Sequence, residues 1–343
     1  MTTPATFDLA NAEWLAHRHV EGADRIAFSH VPRADHRSAP FLTDEYLGDA
    51  RAQHELPVAD CLAGTPPQPM GFLFHSAFCG STLLLSALDR PGVAMGLSEP
   101  VLLNDVVGFR RRGAPPAAVA RLADSATRLL ARPFADGERV IVKPSNILNP
   151  LAELLLALRG DAPAILLYAP LETFLVSVVR KGLWCRLWVR ELLEGFLTDN
   201  VVNLGMGPRD YFRQSDLQVA ATGWLAQHAL FHQLAGKLGP GRVRTLDSET
   251  LTREPLAVLT AAAHHYGLTA SPADLAAMAG GAAFTRHSKS GAAFDTAQRA
   301  EEYAQARRAH EDEIDKVLIW AQAVAEANGL VMDLPLPLIP HRQ

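Results

Sequence analysis

The chain has 343 residues, 48% hydrophobic and 20% charged, with a formal net charge of −5. That is an ordinary globular composition, enough for one large domain or two modest ones. With no run of like charge beyond Arg110–Arg112, bulk electrostatics give no case for nucleic acid or a membrane surface as partner.

Three widely spaced cysteines, Cys61, Cys79 and Cys185, predict a reducing compartment with neither a disulfide framework nor a zinc site. The start, MTTPATFDLANAEW, has no basic n-region and no apolar h-region, so no secretory signal is expected. No charge-free run reaches the length of a membrane span, and a cytoplasmic location is expected. Abundant Ala, Arg, Leu and Pro are associated with GC-rich bacterial genomes.

Residues 1–68 read as an extension wrapping a core. Asn11–His19 is expected as a short helix, Arg25–Val31 as a short strand, and Phe41–Tyr46 as the opening of a second helix. His17, His19, His30 and His36 lack ligand spacing and read as surface or satisfied histidines. GTPPQPM, at 64–70, is a breaker-rich linker.

The core, residues 69–293, begins with the stretch MGFLFHSAFCGSTLLL. An apolar run, Met70–Phe74, is followed by small and polar residues and then by the helical apolar pattern of Leu83, Leu84, Leu85, Ala87 and Leu88. Strand, tight loop, helix is an order that aims free backbone N–H groups and the positive end of a helix dipole at an anion. Gly80 permits close approach, and Ser81 and Thr82 supply hydroxyls and a cap. Against the nucleotide-phosphate pattern G-x-x-x-x-G-K-[ST], Gly80 and Thr82 fit, His75 stands at the first glycine and Ser81 at the lysine. An anion cradle without that lysine is one reading; a turn that binds nothing is the other. Cys79 reads either as a reactive thiol at a helix start or as a small packing residue.

Further strands are expected at Gly92–Leu97, Arg139–Val142, Ala164–Tyr168 and Arg242–Leu246. Helices are expected at Pro115–Arg132, at Pro150–Leu158 capped by Asn149, at Leu171–Lys181, within Leu183–Leu197 and Asp210–Leu238, and at Pro255–Tyr266 closed by Gly267. This alternation predicts an α/β fold: three layers around a central parallel β-sheet, with its site at the carboxyl ends of the strands. Residues 294–343 read as a long charged helix, Thr296–Ala327, and a proline-rich tail that cannot be helical.

F-x-x-x-F-C-G-S-T-L-L resembles the 5′-phosphosulfate loop of the sulfotransferases, R/K-S-G-T/S-T-x-L, in which Gly80, Ser81, Thr82 and Leu84 match. Phe78 replaces the family's Lys or Arg, and Cys79 its Ser. The resemblance implies a P-loop nucleotide-kinase-like fold and 3′-phosphoadenosine 5′-phosphosulfate as sulfuryl donor, with no metal. It implies that His75, Cys79, Gly80, Ser81 and Thr82 lie in the donor site. Glu99-Pro100 is similar to the family's E-P pair after the second strand, which makes Glu99 the candidate base for an acceptor hydroxyl. Lys143-Pro144-Ser145 stands where cytosolic members carry K-T-H; Lys143 is the candidate catalytic cation, with Asn146 assisting. The 3′-phosphate motif R-[DN]-P-x-[DE]-x-x-x-S survives as Pro170 and Ser177, without its arginine; Arg180 and Lys181 follow a turn later. Arg286, Lys289 and Gly291 resemble the late R-K-G phosphate clamp, and Arg242–Pro255 the V-R-Y-E-D-L-x-x-D-P segment.

Each candidate has a plainer reading: Glu99 as a helix-start carboxylate, Lys143 as a solvated strand end, Arg180 and Lys181 as cations at a helix C-terminus, Arg286 and Lys289 as a solvated loop. The expected activity is sulfuryl transfer to a hydroxyl or amine on a small-molecule or peptide acceptor. Two alternatives stand beside it, a non-catalytic nucleotide- or anion-binding protein on the same fold and a P-loop phosphotransferase. Trp184, Trp188 and Trp224 line an acceptor pocket or belong to the core. Oligomeric state is not legible.

Overall fold

The computed structural model describes residues 6–48, 51, 53–285 and 296–340. Two sheets organise them. β1 (Trp14–Val20), β2 (Arg25–His30) and β3 (Gln53–Pro57) pair antiparallel in that order. β4 (Met70–His75), β5 (Ala94–Ser98), β6 (Arg139–Lys143), β7 (Ala164–Tyr168) and β8 (Val243–Asp247) form a parallel sheet in the order β5-β6-β4-β7-β8.

Side-chain alternation explains why the second sheet is buried on both faces. Phe72, Phe74, Val140, Val142, Ala164 and Leu166 enter one core; Leu73, Ile141, Ile165 and Leu167 enter the other. The helices Val101–Arg111, Pro116–Leu130 and Ala152–Leu158 cover the first face. Ser81–Leu88, Leu171–Arg180, Pro255–Tyr266 and Glu311–Ala327 cover the second. The architecture is therefore the three-layer α/β arrangement expected. Helix and sheet approach closely at Gly71: a Cβ there would lie 2.6 Å from Tyr266 Cδ1, and the Tyr266 hydroxyl donates to Phe72 O at 2.9 Å.

Several expectations need correction. Asn11–His19 is not a helix; Trp14–Val20 is a strand, because pairing with β2 and packing on Val101–Arg111 bury Trp14, Leu15 and Ala16 together. Asn149 caps no helix: it lies in a 3-10 turn, Asn146–Leu151, before the helix Ala152–Leu158. The long terminal helix is two, Thr296–Ala309 and Glu311–Ala327. The proline-rich tail runs beside the edge strand, where Thr245 N–H donates to Leu336 O at 3.0 Å and Leu338 N–H to Thr245 O at 2.7 Å. Among the described residues no helix is long and apolar enough to cross a membrane.

Candidate functional site

The order of the parallel strands reverses at β4, which has β6 on one side and β7 on the other. Crevices at such points, outside the carboxyl ends, are where open α/β sheets bind ligands. Three neighbouring strands deliver titratable side chains to that edge: His75 from β4, Lys143 from β6, and Glu99 just past β5. Lys143 Nζ donates to Glu99 Oε1 at 2.5 Å, and His75 Nε2 lies 3.7 Å from the same oxygen. The Lys143 side chain is 1% exposed. The backbone supports the pair: Glu99 N–H donates to Lys143 O at 2.7 Å, with Glu99 held at a left-handed φ of +48° that only tertiary context sustains.

The loop Ser76–Gly80 follows β4. Ala77, Phe78 and Gly80 are all left-handed, at φ of +71°, +51° and +78°. For the two non-glycine residues this costs about 1 kcal/mol each. The run ends on Gly80, the N-cap of Ser81–Leu88, and no side chain caps that helix. Ser81 therefore does not act as the cap expected of it. The N–H groups of Phe78, Cys79, Gly80 and Thr82 have no acceptor among the described residues. A left-handed run of amides without internal acceptors, at a helix N-terminus, is backbone of the kind that can receive an anion.

His75 is buried beside the loop. Its Nδ1 accepts the Ala77 N–H at 3.2 Å, so a neutral ring carries its proton on Nε2, towards Glu99. Its carbonyl accepts Asn149 Nδ2 at 3.0 Å, and the same amide nitrogen donates to Gln227 Oε1 at 3.0 Å. These bonds tie the end of β4 to Asn149 and, through it, to Gln227. Cys79 is fully buried, and burial pushes its thiol up to about 11, against the lowering by the Ser76 and Ser81 backbone. That resolves its two readings in favour of packing. Ser81 and Thr82 are buried at 7% and 8% exposure, against the start of their helix.

On the other side of the loop, the Phe78 ring packs against Phe174 and Trp188, with centroids 5.8 and 5.3 Å away. Lys181 Nζ lies 5.2 Å from the Phe78 centroid. A cation thus reaches the loop although residue 78 is not itself basic. Arg180 turns away, to Glu302 at 2.9 Å and the Tyr303 ring. Ser177 is buried: its hydroxyl donates to Thr173 O at 2.9 Å and meets Tyr303 OH at 2.6 Å. Arg286 and Lys289 lie outside the described residues. Trp224 is core, its Nε1 donating to Ala169 O at 2.8 Å and its ring stacked on His228, whereas Trp184 is 63% exposed. Among the described residues no group of three or more His, Cys, Asp or Glu is placed to hold a metal ion.

Sequence reasoning missed Phe41. Its ring lies 5.0 Å from Lys143 Nζ, brought there by a segment that precedes the core in sequence. The only signal in the chain is an aromatic pair, Phe41 and Tyr46, flanking Leu42 and the polar run Thr43–Glu45.

No protein-family model matches the chain, and no curated protein matches it. Its structure is similar to three solved sulfotransferases. The sulfotransferase domain from the curacin biosynthetic pathway is 17% identical, covering 79% of this chain and 100% of that one, with a TM-score of 0.43. The sulfotransferase domain from the Synechococcus PCC 7002 olefin synthase is 16% identical over 68% of this chain and 84% of that one, at 0.40. Sulfotransferase STF9 from Mycobacterium avium is 10% identical over 72% and 78%, at 0.41. Overlaps this loose assign neither donor nor acceptor.

Proposed function

We propose that the chain transfers a sulfuryl group from 3′-phosphoadenosine 5′-phosphosulfate to a hydroxyl or amine acceptor. The observation that carries this reading is the uncapped left-handed loop, with Lys181 on one side and the Lys143–Glu99 pair on the other. The amides of Phe78 to Thr82 hold the 5′-phosphosulfate, and Gly80 allows the close approach. Glu99 takes the acceptor's proton as its oxygen forms the new bond to sulfur. The bond from sulfur to the bridging phosphate oxygen breaks, and its electron pair leaves with the 3′,5′-bisphosphate. Lys143 orients the carboxylate and places positive charge beside the developing negative charge. Arg286 and Lys289 are the proposed cations for the 3′-phosphate, the Ser177 hydroxyl being engaged with Thr173 and Tyr303.

Calorimetry with 3′-phosphoadenosine 5′-phosphate tests the reading: saturable 1:1 binding is expected, and no heat at millimolar ligand overturns it. A second reading, a binding protein without turnover, is favoured by the tight engagement of Glu99 with Lys143 at 2.5 Å. It predicts nucleotide binding with no transfer to any acceptor. Phosphoryl transfer is disfavoured by Ser81 at the lysine position of the nucleotide-phosphate loop.

A further inference from the structure

The site described above uses the carboxyl end of the parallel sheet. Near the amino end of the outer strand, β8, a cleft of about 860 Å³ opens between the strand, the helix Pro255–Tyr266 and the carboxyl-terminal tail. The helix explains its shape. Val258, Leu259, Ala262 and Ala263 bury one face, which leaves Ala257, Ala261 and His264, at i, i+4 and i+7, along the flank that lines the cleft. The two alanines leave the space that longer side chains would fill, and Leu338 of the tail lines the cleft with them. Arg244, on β8, also lines it and has no hydrogen-bond or salt-bridge partner among the described residues. Arg242, two residues earlier, is the opposite case: its guanidinium donates to Ala162 O at 3.1 Å and to Leu156 O and Arg159 O at 3.0 Å each. His264 and His265 stand at the same cleft, and no carboxylate is among its lining residues. His265 Nε2 donates to Ala164 O at 3.0 Å; burial lowers its pKa most, and the Arg244 charge lowers it further. Positive charge is thus gathered at a largely apolar recess of a chain whose net charge is −5.

We propose that this cleft binds an amphipathic monoanion, a short aliphatic body carrying one carboxylate or sulfate-ester head. Arg244 takes the head in its planar fork, whose parallel N–H groups match the paired oxygens of either group. The body lies along Ala257, Ala261 and Leu338, where its apolar surface leaves water. Neither half suffices alone. An ion pair open to solvent contributes little, and the apolar wall supplies both the remaining affinity and the selection. The inference is independent of the sulfuryl-transfer reading, because the loop Ser76–Gly80 leaves the opposite end of the sheet.

Ligand-observed NMR titration of the full chain with hexanoate, hexyl sulfate, 1-hexanol and acetate tests the site. Hexanoate is expected to saturate one site with a Kd on the order of 1 mM, in keeping with a ligand of so few atoms. 1-Hexanol keeps the body and acetate keeps the head; each is expected to bind at least about tenfold more weakly. Arg244→Gln is expected to weaken hexanoate about tenfold. It leaves the melting temperature and the affinity for 3′-phosphoadenosine 5′-phosphate unchanged, since Arg244 bonds nothing in the protein. Ala261→Met, which fills the recess and keeps the charge, is expected to weaken hexanoate by a similar factor. Hexyl sulfate against hexanoate separates the two head groups, and saturable binding of either supports the site. Hexanoate binding unaltered in Arg244→Gln, 1-hexanol binding as tightly as hexanoate, or no saturation by either anion at tenfold the expected Kd overturns the proposal. Anion binding without nucleotide binding keeps this cleft and removes the sulfuryl-transfer reading; nucleotide binding without anion selection does the reverse.

Discussion

Two strand-to-helix crossings leave the same edge of the parallel sheet side by side and end in opposite states. After β4 the chain takes five residues, Ser76–Gly80, and winds three of them left-handed. After β7 it takes only Ala169 and Pro170 before the next helix begins. There the Ala169 N–H donates to Ser76 Oγ at 3.3 Å, its carbonyl accepts the Trp224 indole at 2.8 Å, and Pro170 has no N–H to offer. Strands β5, β7 and β8 also run into helix N-termini at this edge, so a helix dipole alone does not make a receptor. What distinguishes the first crossing is a longer, glycine-terminated loop in which the amides of Phe78 to Gly80 have no acceptor among the described residues. The second crossing is closed, and it serves as a wall for the first.

The sharpest test of the open crossing is Glu99→Gln, which removes the carboxylate gripped by the buried Lys143. A stability loss of about 3 kcal/mol is expected in urea denaturation. If Glu99 takes the acceptor proton, the transfer rate also falls about a hundredfold or more while nucleotide affinity holds. A purely structural Glu99 would show the stability loss alone. Next comes Gly80→Val. A branched side chain at φ of +78°, with Leu251 Cδ2 only 3.4 Å from its Cβ, is expected to cost about 2 kcal/mol and to weaken nucleotide binding at least about a hundredfold, read by denaturation and calorimetry.

On the closed side, His228 lies stacked beneath Trp224, and neither ring nitrogen has a partner among the described residues. Burial holds its pKa down at about 3, with a smaller upward pull from the Trp224 backbone. The unfolded ring titrates near 6.5, so the unfolded state binds the extra proton first. The contribution is complete above about pH 6.5 and is lost as pH falls towards 3, about 2 kcal/mol of it between pH 7 and pH 5. His228→Phe is expected to flatten that part of the stability–pH curve. Smallest is Trp224→Phe, which deletes one buried hydrogen bond at Ala169 for about 1 kcal/mol and leaves nucleotide affinity unchanged.

The sheet was legible because β4, β6 and β7 are apolar on both faces, a pattern only a doubly covered parallel strand requires. β1 and β3 were not. Trp14, Leu15 and Ala16 are consecutive buried residues with no strand alternation, and QHELP, at β3, is a polar sequence made a strand by its pairing with β2. At the site, Glu99 and Lys143 were each named from their places at strand ends. Their pairing was hidden, since it depends on β5 lying next to β6. Phe41 was hidden for a stronger reason: its place over Lys143 is fixed by backbone bonds to Ser98 and Val101, and local sequence carries no trace of such bonds.

The tail beside β8 has a consequence for how molecules meet one another. Thr245 bonds both Leu336 and Leu338, while Pro335, Pro337 and Pro340 have no amide proton to give to a further strand. An outermost ribbon so poor in donors terminates hydrogen bonding from neighbouring molecules. Removing residues 335–340 would bare the row of amides on β8 and is expected to convert a covered edge into a seed for intermolecular strand pairing.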